Sequence, residues 1–126
     1  MIPENLKYST THEWVKAEDD LATIGITDHA QSELGDIVYL ELPNTGITVQ
    51  KEDVFGTIES IKTVSDLLAP VSGRVVEVNE ELPETPERVN EESYTSGWMV
   101  IIKMENPSEL EDLMTADQYE SFIQER

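Results

Sequence analysis

Short runs of β-branched and other apolar residues, each closed within a few positions by Gly, Pro, Asn or Asp, constrain this chain more than any other feature. Runs at residues 21–25, 36–41, 54–60, 63–68, 73–78 and 98–104 have the length and composition of strands. Strands at this spacing in 126 residues predict a mainly β sandwich or small barrel built as a single domain, since one core suffices at this size. Two helical stretches interrupt the pattern. The first has Thr27 as N-cap, covers residues 28–34 and stops at Gly35, a residue suited to the positive φ that ends many helices. The second is the carboxyl-terminal region, about residues 108–125. There Ser108 with Glu111 and Thr115 with Gln118 both read as capping boxes, and Tyr119, Phe122 and Ile123 are expected to fasten a tail helix to the sheet. Residues 79–92, with Pro83 and Pro86, read as an extended solvated loop.

Charge narrows the partners. Eight Lys and Arg against 27 Asp and Glu give a formal net charge of -19, so nucleic acid and anionic membranes, which need a basic face, are poor partners. Acidic runs such as Glu18-Asp19-Asp20 and Glu80-Glu81 are first of all solvated surface. Steering toward basic patches on partner proteins is a second role for them. No apolar run has the length of a membrane-spanning helix. The first 14 residues lack the features of a secretory or organelle leader, which reads as a cytoplasmic prokaryotic chain, or a mitochondrial matrix chain already processed.

Standard catalytic patterns are missing. His12-Glu13-Trp14-Val15-Lys16 begins like a zinc-protease helix, but Lys16 stands where the second histidine is required. No phosphate-binding glycine loop or calcium loop is complete. His12 and His29 lie too far apart in sequence to argue a site, and each reads as an ordinary surface or capping residue. With no cysteine in the chain, disulfides, thiolate metal sites and a thiol nucleophile are excluded. Any acyl-carrying or redox sulfur has to be attached from outside.

The informative stretch is the pair of β-rich arms around Ser60-Ile61-Lys62-Thr63. It places Lys62 at the tip of a hairpin, reachable by an enzyme. Most exposed turn lysines only add solubility. A carrier lysine needs this position, at the apex of a stiff turn and away from the body, so that a modifying enzyme can grip the hairpin and a long arm can swing.

Beyond the tip, the blocks Thr11-His12-Glu13-Trp14, Gly25-Ile26-Thr27-Asp28-His29-Ala30-Gln31, Leu34-Gly35-Asp36-Ile37-Val38, Glu59-Ser60-Ile61-Lys62-Thr63-Val64-Ser65-Asp66-Leu67, Ala69-Pro70-Val71-Ser72-Gly73 and Gly97-Trp98 follow one another in an order and spacing that resemble the H protein of the glycine cleavage system over nearly the whole chain. Departures are small: Ile61 and Thr63 flank the lysine where the family has Val and Ala, and Thr85-Pro86-Glu87-Arg88 replaces a usual Asn-Pro. The resemblance implies a barrel-sandwich hybrid of two antiparallel sheets, the lipoyl and biotinyl carrier fold, with a short internal helix and a carboxyl-terminal helical segment. It implies lipoic acid in amide linkage on Lys62, with Glu59 recognised by the lipoyl-attaching enzyme. It further implies a non-catalytic, monomeric carrier. Its partners would be the glycine decarboxylase (P protein), the aminomethyltransferase (T protein) and dihydrolipoamide dehydrogenase (L protein). An attached dithiolane would also account for the missing cysteines. Glu13 and Asp66 are the candidates for holding the arm's terminal amine in a docking cleft.

Three other readings compete. A biotin carrier sets its lysine between two methionines, whereas Lys62 has Ile61 and Thr63. A lipoyl domain of a 2-oxoacid dehydrogenase is shorter and lacks both the His-Glu-Trp block and the carboxyl-terminal helical region. An H-like protein that relays lipoyl groups to 2-oxoacid dehydrogenase complexes has the same sequence signature, and that alternative stays open.

Overall fold

A computed structural model describes residues 2–125. Among the described residues, nine strands form two antiparallel sheets, one of six strands in the order β1-β2-β3-β9-β8-β5 and one of three in the order β4-β6-β7. In the larger sheet these are β1 (Lys7–Tyr8), β2 (Glu13–Glu18), β3 (Leu21–Ile26), β5 (Thr48–Val49), β8 (Gly73–Val78) and β9 (Val100–Met104). The smaller sheet holds β4 (Ile37–Glu41), β6 (Val54–Ser60) and β7 (Val64–Leu68). The mainly β fold expected from strand spacing is observed, and so are the two antiparallel sheets that the resemblance implied. Alternation drives it: Val15, Ile24 and Ile102 on one sheet and Leu40, Ile58 and Leu67 on the other point into a shared core.

All six expected strands are present within two residues at either end. The additional ones are β1, β2 and β5. Four of the six residues of β2 (Glu-Trp-Val-Lys-Ala-Glu) are good helix formers, so composition concealed a strand that pairs with both β1 and β3. Its signal was the acidic run: Asp19, at φ 56, makes the tight turn into β3, a backbone conformation that Asp tolerates better than most residues. Trp14 and Gly25 explain each other. They are cross-strand partners, and a Cβ on Gly25 would lie 2.7 Å from the Trp14 ring. Bare backbone at Gly25 lets the indole cross β3 and donate Nε1–H to the Ser93 carbonyl at 2.9 Å.

The helical expectations hold in part. Helix α1 (Asp28–Leu34) begins at Thr27, whose hydroxyl accepts from the Ala30 amide, and closes on Gly35 at φ 91. Helix α3 (Ala116–Gln124) carries the Thr115–Gln118 capping box. Ser108 caps nothing. The 3₁₀ segment Pro107–Asp112 starts at Asn106 because Pro107 occupies the first helical position, which a residue without an amide hydrogen favours. Residues 79–92 are not a solvated loop either: they form a 3₁₀ turn, Leu82–Glu84, and a second helix, α2 (Glu87–Glu91), with Leu82 and Val89 fully buried. Pro83 and Pro86 sit at helix starts, where they shape the first turn rather than break it.

A second apolar cluster lies under the carboxyl-terminal helix, where Leu6, Tyr8 and Trp14 meet Ala116 and Tyr119. Tyr8 and Tyr119 stack with ring centroids 4.7 Å apart. This contact fastens the tail helix to β1, as its apolar spacing suggested.

Candidate functional site

The β6–β7 turn is held mainly by one side chain. Ser60, buried at the end of β6, accepts at its Oγ from the amides of Lys62 and Thr63, both at 3.1 Å, while its own amide donates to the Thr63 carbonyl at 2.8 Å. The tip is thereby folded around a serine hydroxyl, a local alternative to a longer ladder. Ile61 donates its amide to the Asp36 carbonyl at 3.0 Å and so pins the turn to the start of β4. Lys62 is left exposed at the apex.

Support comes from the helix that sequence reading missed. Asn90 on α2 accepts from the Ile37 amide at 2.9 Å and donates to the Gly35 carbonyl at 3.0 Å and the Gln31 side chain at 2.8 Å. It ties the end of α1 to the beginning of β4, directly beneath the turn. Gly35 faces the lysine stem: a Cβ there would stand 3.1 Å from Lys62 Cε, at a φ of +91 that L side chains rarely adopt.

Beside the turn, β7 borders a cleft of about 180 Å³ whose other walls are α1 and the first residues of β2. Glu13, Asp66, His12 and Leu34 all line it. Glu13 is 2% exposed, and its carboxylate accepts from the Ser9 and Thr11 hydroxyls and from the Leu68 amide at 3.4 Å. Burial pushes its carboxyl above the ordinary pKa, against the pull of these hydrogen bonds. Asp66 is at the same cleft but exposed; alternation along β7 sends Ser65 and Leu67 inward and Val64 and Asp66 outward, so Asp66 belongs to the rim. Glu59 stands away from the cleft, on the outer face of the small sheet between Tyr39 and Val64.

The two histidines come together after all. Their rings are 5.0 Å apart, because the Thr11–His12 turn and α1 face one another across the cleft end. His12 Nδ1 lies 2.8 Å from the Tyr119 hydroxyl, which lies 2.7 Å from the Thr27 hydroxyl. The tail helix therefore reaches the cleft wall through Tyr119. Asn90, the role of Ser60 in holding the tip and the reach of Tyr119 to the cleft wall escaped sequence reasoning. Only Ser60, two positions before the tip lysine, had a local signal.

The sequence model of the family described as "Glycine cleavage H-protein" matches residues 6–126. The chain belongs to the glycine cleavage H-protein family. A glycine cleavage system H protein of Staphylococcus carnosus is 57% identical over 124 residues, covering 98% of each chain. One from Bacillus licheniformis is 55% identical over 123 residues, 98% of this chain and 97% of its own length. The crystal structure of a glycine cleavage system H protein from Mycobacterium marinum superposes with a TM-score of 0.91 at 35% identity, covering 98% of this chain and 99% of that one. Among the described residues, no helix is long and apolar enough to cross a membrane.

Proposed function

We propose that this H-family protein is a non-catalytic lipoyl carrier: it shuttles the aminomethyl unit of glycine from the decarboxylase to the aminomethyltransferase, and reducing equivalents to dihydrolipoamide dehydrogenase. The observation that carries the reading is Lys62 standing exposed at a turn whose backbone is held by Ser60 and Asp36. A primary amine on a stiff apex, with bare backbone at Gly35 beneath its stem, fits amide attachment of a long acyl arm. Lipoic acid bound there would supply a dithiolane that takes up electrons and a one-carbon unit, chemistry that a chain without cysteine lacks.

The chain's own residues present, hold and shield. From Lys62 to Asp66 is about 13 Å of strand at 3.3 Å per residue, so an arm folded back along β7 meets the cleft. In this reading Glu13 and Asp66 receive the arm's amine. The Glu13 carboxylate already accepts from Ser9, Thr11 and Leu68, and an ammonium group brought beside it would add a charge-assisted hydrogen bond that holds the arm out of water. Residues 1–126 act as one carrier unit and as a monomer, in the cytoplasm as expected of a chain with bacterial relatives.

Replacing Lys62 with Ala tests the reading. Glycine decarboxylation through the carrier should be abolished, with a stability change of no more than about 0.5 kcal/mol, typical of an exposed site. Retained turnover with a native circular dichroism spectrum would place the arm elsewhere. The relay reading differs in one readout: transfer of the lipoyl group from this protein to a 2-oxoacid dehydrogenase lipoyl domain.

A further inference from the structure

The outer face of the three-stranded sheet is unlike the rest of the surface. Eight large apolar side chains are exposed among the described residues, and five of them, Val38, Tyr39, Val54, Ile61 and Val64, lie on this small sheet and its turn. A β-bulge contributes to the concentration. Ile37 pairs with Ser60 and Tyr39 with Glu59, which leaves Val38 as the extra residue, so two consecutive apolar side chains are turned to solvent, 50% and 52% exposed. Across the sheet the register gives the row Tyr39, Glu59, Val64, with Val64 63% exposed. The next outward row is Glu41, Thr57, Asp66. Apolar groups and carboxylates are thus interleaved, and Lys62 is the lone cation in residues 36–41 and 54–68. Ordinary solvated sheet faces carry polar residues at such positions.

We propose that this face is the docking surface for the enzyme that acylates Lys62, a partner presenting an apolar patch flanked by lysines and arginines. The proposal rests on the lipoyl-carrier reading and deepens it. Position argues for this occupant: the row is one cross-strand pair from the tip, so an enzyme seated on it holds the turn rather than a flexible side chain, and the cleft on the other side of β7 stays free. The step served is amide formation. Lys62 Nζ attacks the carbonyl of an acyl-adenylate made from lipoic acid and ATP; the N–C bond forms, the acyl–phosphate bond breaks, AMP departs with the electron pair, and the amine's proton passes to a base on the enzyme.

The experiment uses the full-length unmodified protein with a purified lipoyl ligase, lipoic acid and ATP. Initial rates are compared for the wild type, the Tyr39→Ser, Val64→Thr double variant, and Val76→Thr, an exposed apolar position on the other sheet. The double variant should raise KM about tenfold, the loss expected for two apolar anchors at an interface, with kcat unchanged. Its Lys62 should react with a small N-hydroxysuccinimide ester at the wild-type rate, showing that the turn is intact. An unchanged KM in the double variant, or an equal rise in Val76→Thr, overturns the proposal. So does a wild-type dimer that the double variant dissociates, which would assign the face to self-association. A wild-type protein that no ligase acylates at Lys62 would instead remove the carrier reading itself.

Discussion

The Lys62 turn leads into β7 and the Glu13 cleft runs alongside it, and the two are built in opposite ways. The turn is local: Ser60 holds the amides of Lys62 and Thr63, and the tip is tied by Ile61 to Asp36 at the neighbouring strand's start. The cleft is assembled from distant stretches of chain, with Thr11 to Glu13, α1 and β7 meeting across the gap between the two sheets and Tyr119 bracing His12 from the tail helix. Presentation of the lysine therefore depends on few residues, whereas shelter for an arm depends on the whole fold. A change in core packing should disturb the cleft before it disturbs the apex.

The largest expected effect of a side-chain truncation in this comparison is at Asn90. Its removal leaves the Ile37 amide and the Gly35 carbonyl without their partner, at the join between turn and cleft. Asn90→Ala should cost about 2–3 kcal/mol by urea unfolding, since unsatisfied buried groups are expensive. A loss under half of that would mean that α2 is only a lid. Ser60→Ala comes next, with about 1–2 kcal/mol lost as two tip amides turn to water or strain. It should slow ligase acylation of Lys62 while leaving the cleft unaltered. Normal acylation by this variant would show that the turn does not need its serine.

The smallest effect is a pH dependence at Glu13. Its carboxyl pKa is raised in the folded protein, so between the unfolded and folded values the native state binds more protons than the unfolded one. This contribution favours folding below the unfolded pKa and is lost as pH rises through the folded one. Glu13→Gln should therefore flatten the decline of stability across the mildly acidic range relative to the wild type. Parallel curves would mean that the hydrogen bonds from Ser9, Thr11 and Leu68 fully offset burial.

The same contrast explains how much was legible in the sequence. Lys62 at a hairpin tip could be read because a turn is written in adjacent residues, and six of the nine strands among the described residues could be read because a β-branched run closed by turn residues is a local signal. Glu13 and Asp66 were found through family blocks, and the cleft brings both to one place. Glu13 proved buried, which a His-Glu-Trp string does not announce, and Asp66 faces outward by register. His12 and His29 looked unrelated because 17 positions separate them, yet antiparallel pairing of β2 with β3 folds that separation back on itself. Residues 79–92 misled through their charge. Leu82 and Val89 are two apolar residues among many acids, and only tertiary packing shows that they anchor the segment.

The central claim is that Lys62 carries the acyl arm. Intact mass of the natively expressed protein, followed by peptide mapping, measures it directly. The account predicts one lipoyl adduct, located on Lys62 and absent from Lys62→Ala. An adduct on another lysine, or an unmodified chain from cells that lipoylate their other carriers, would contradict it.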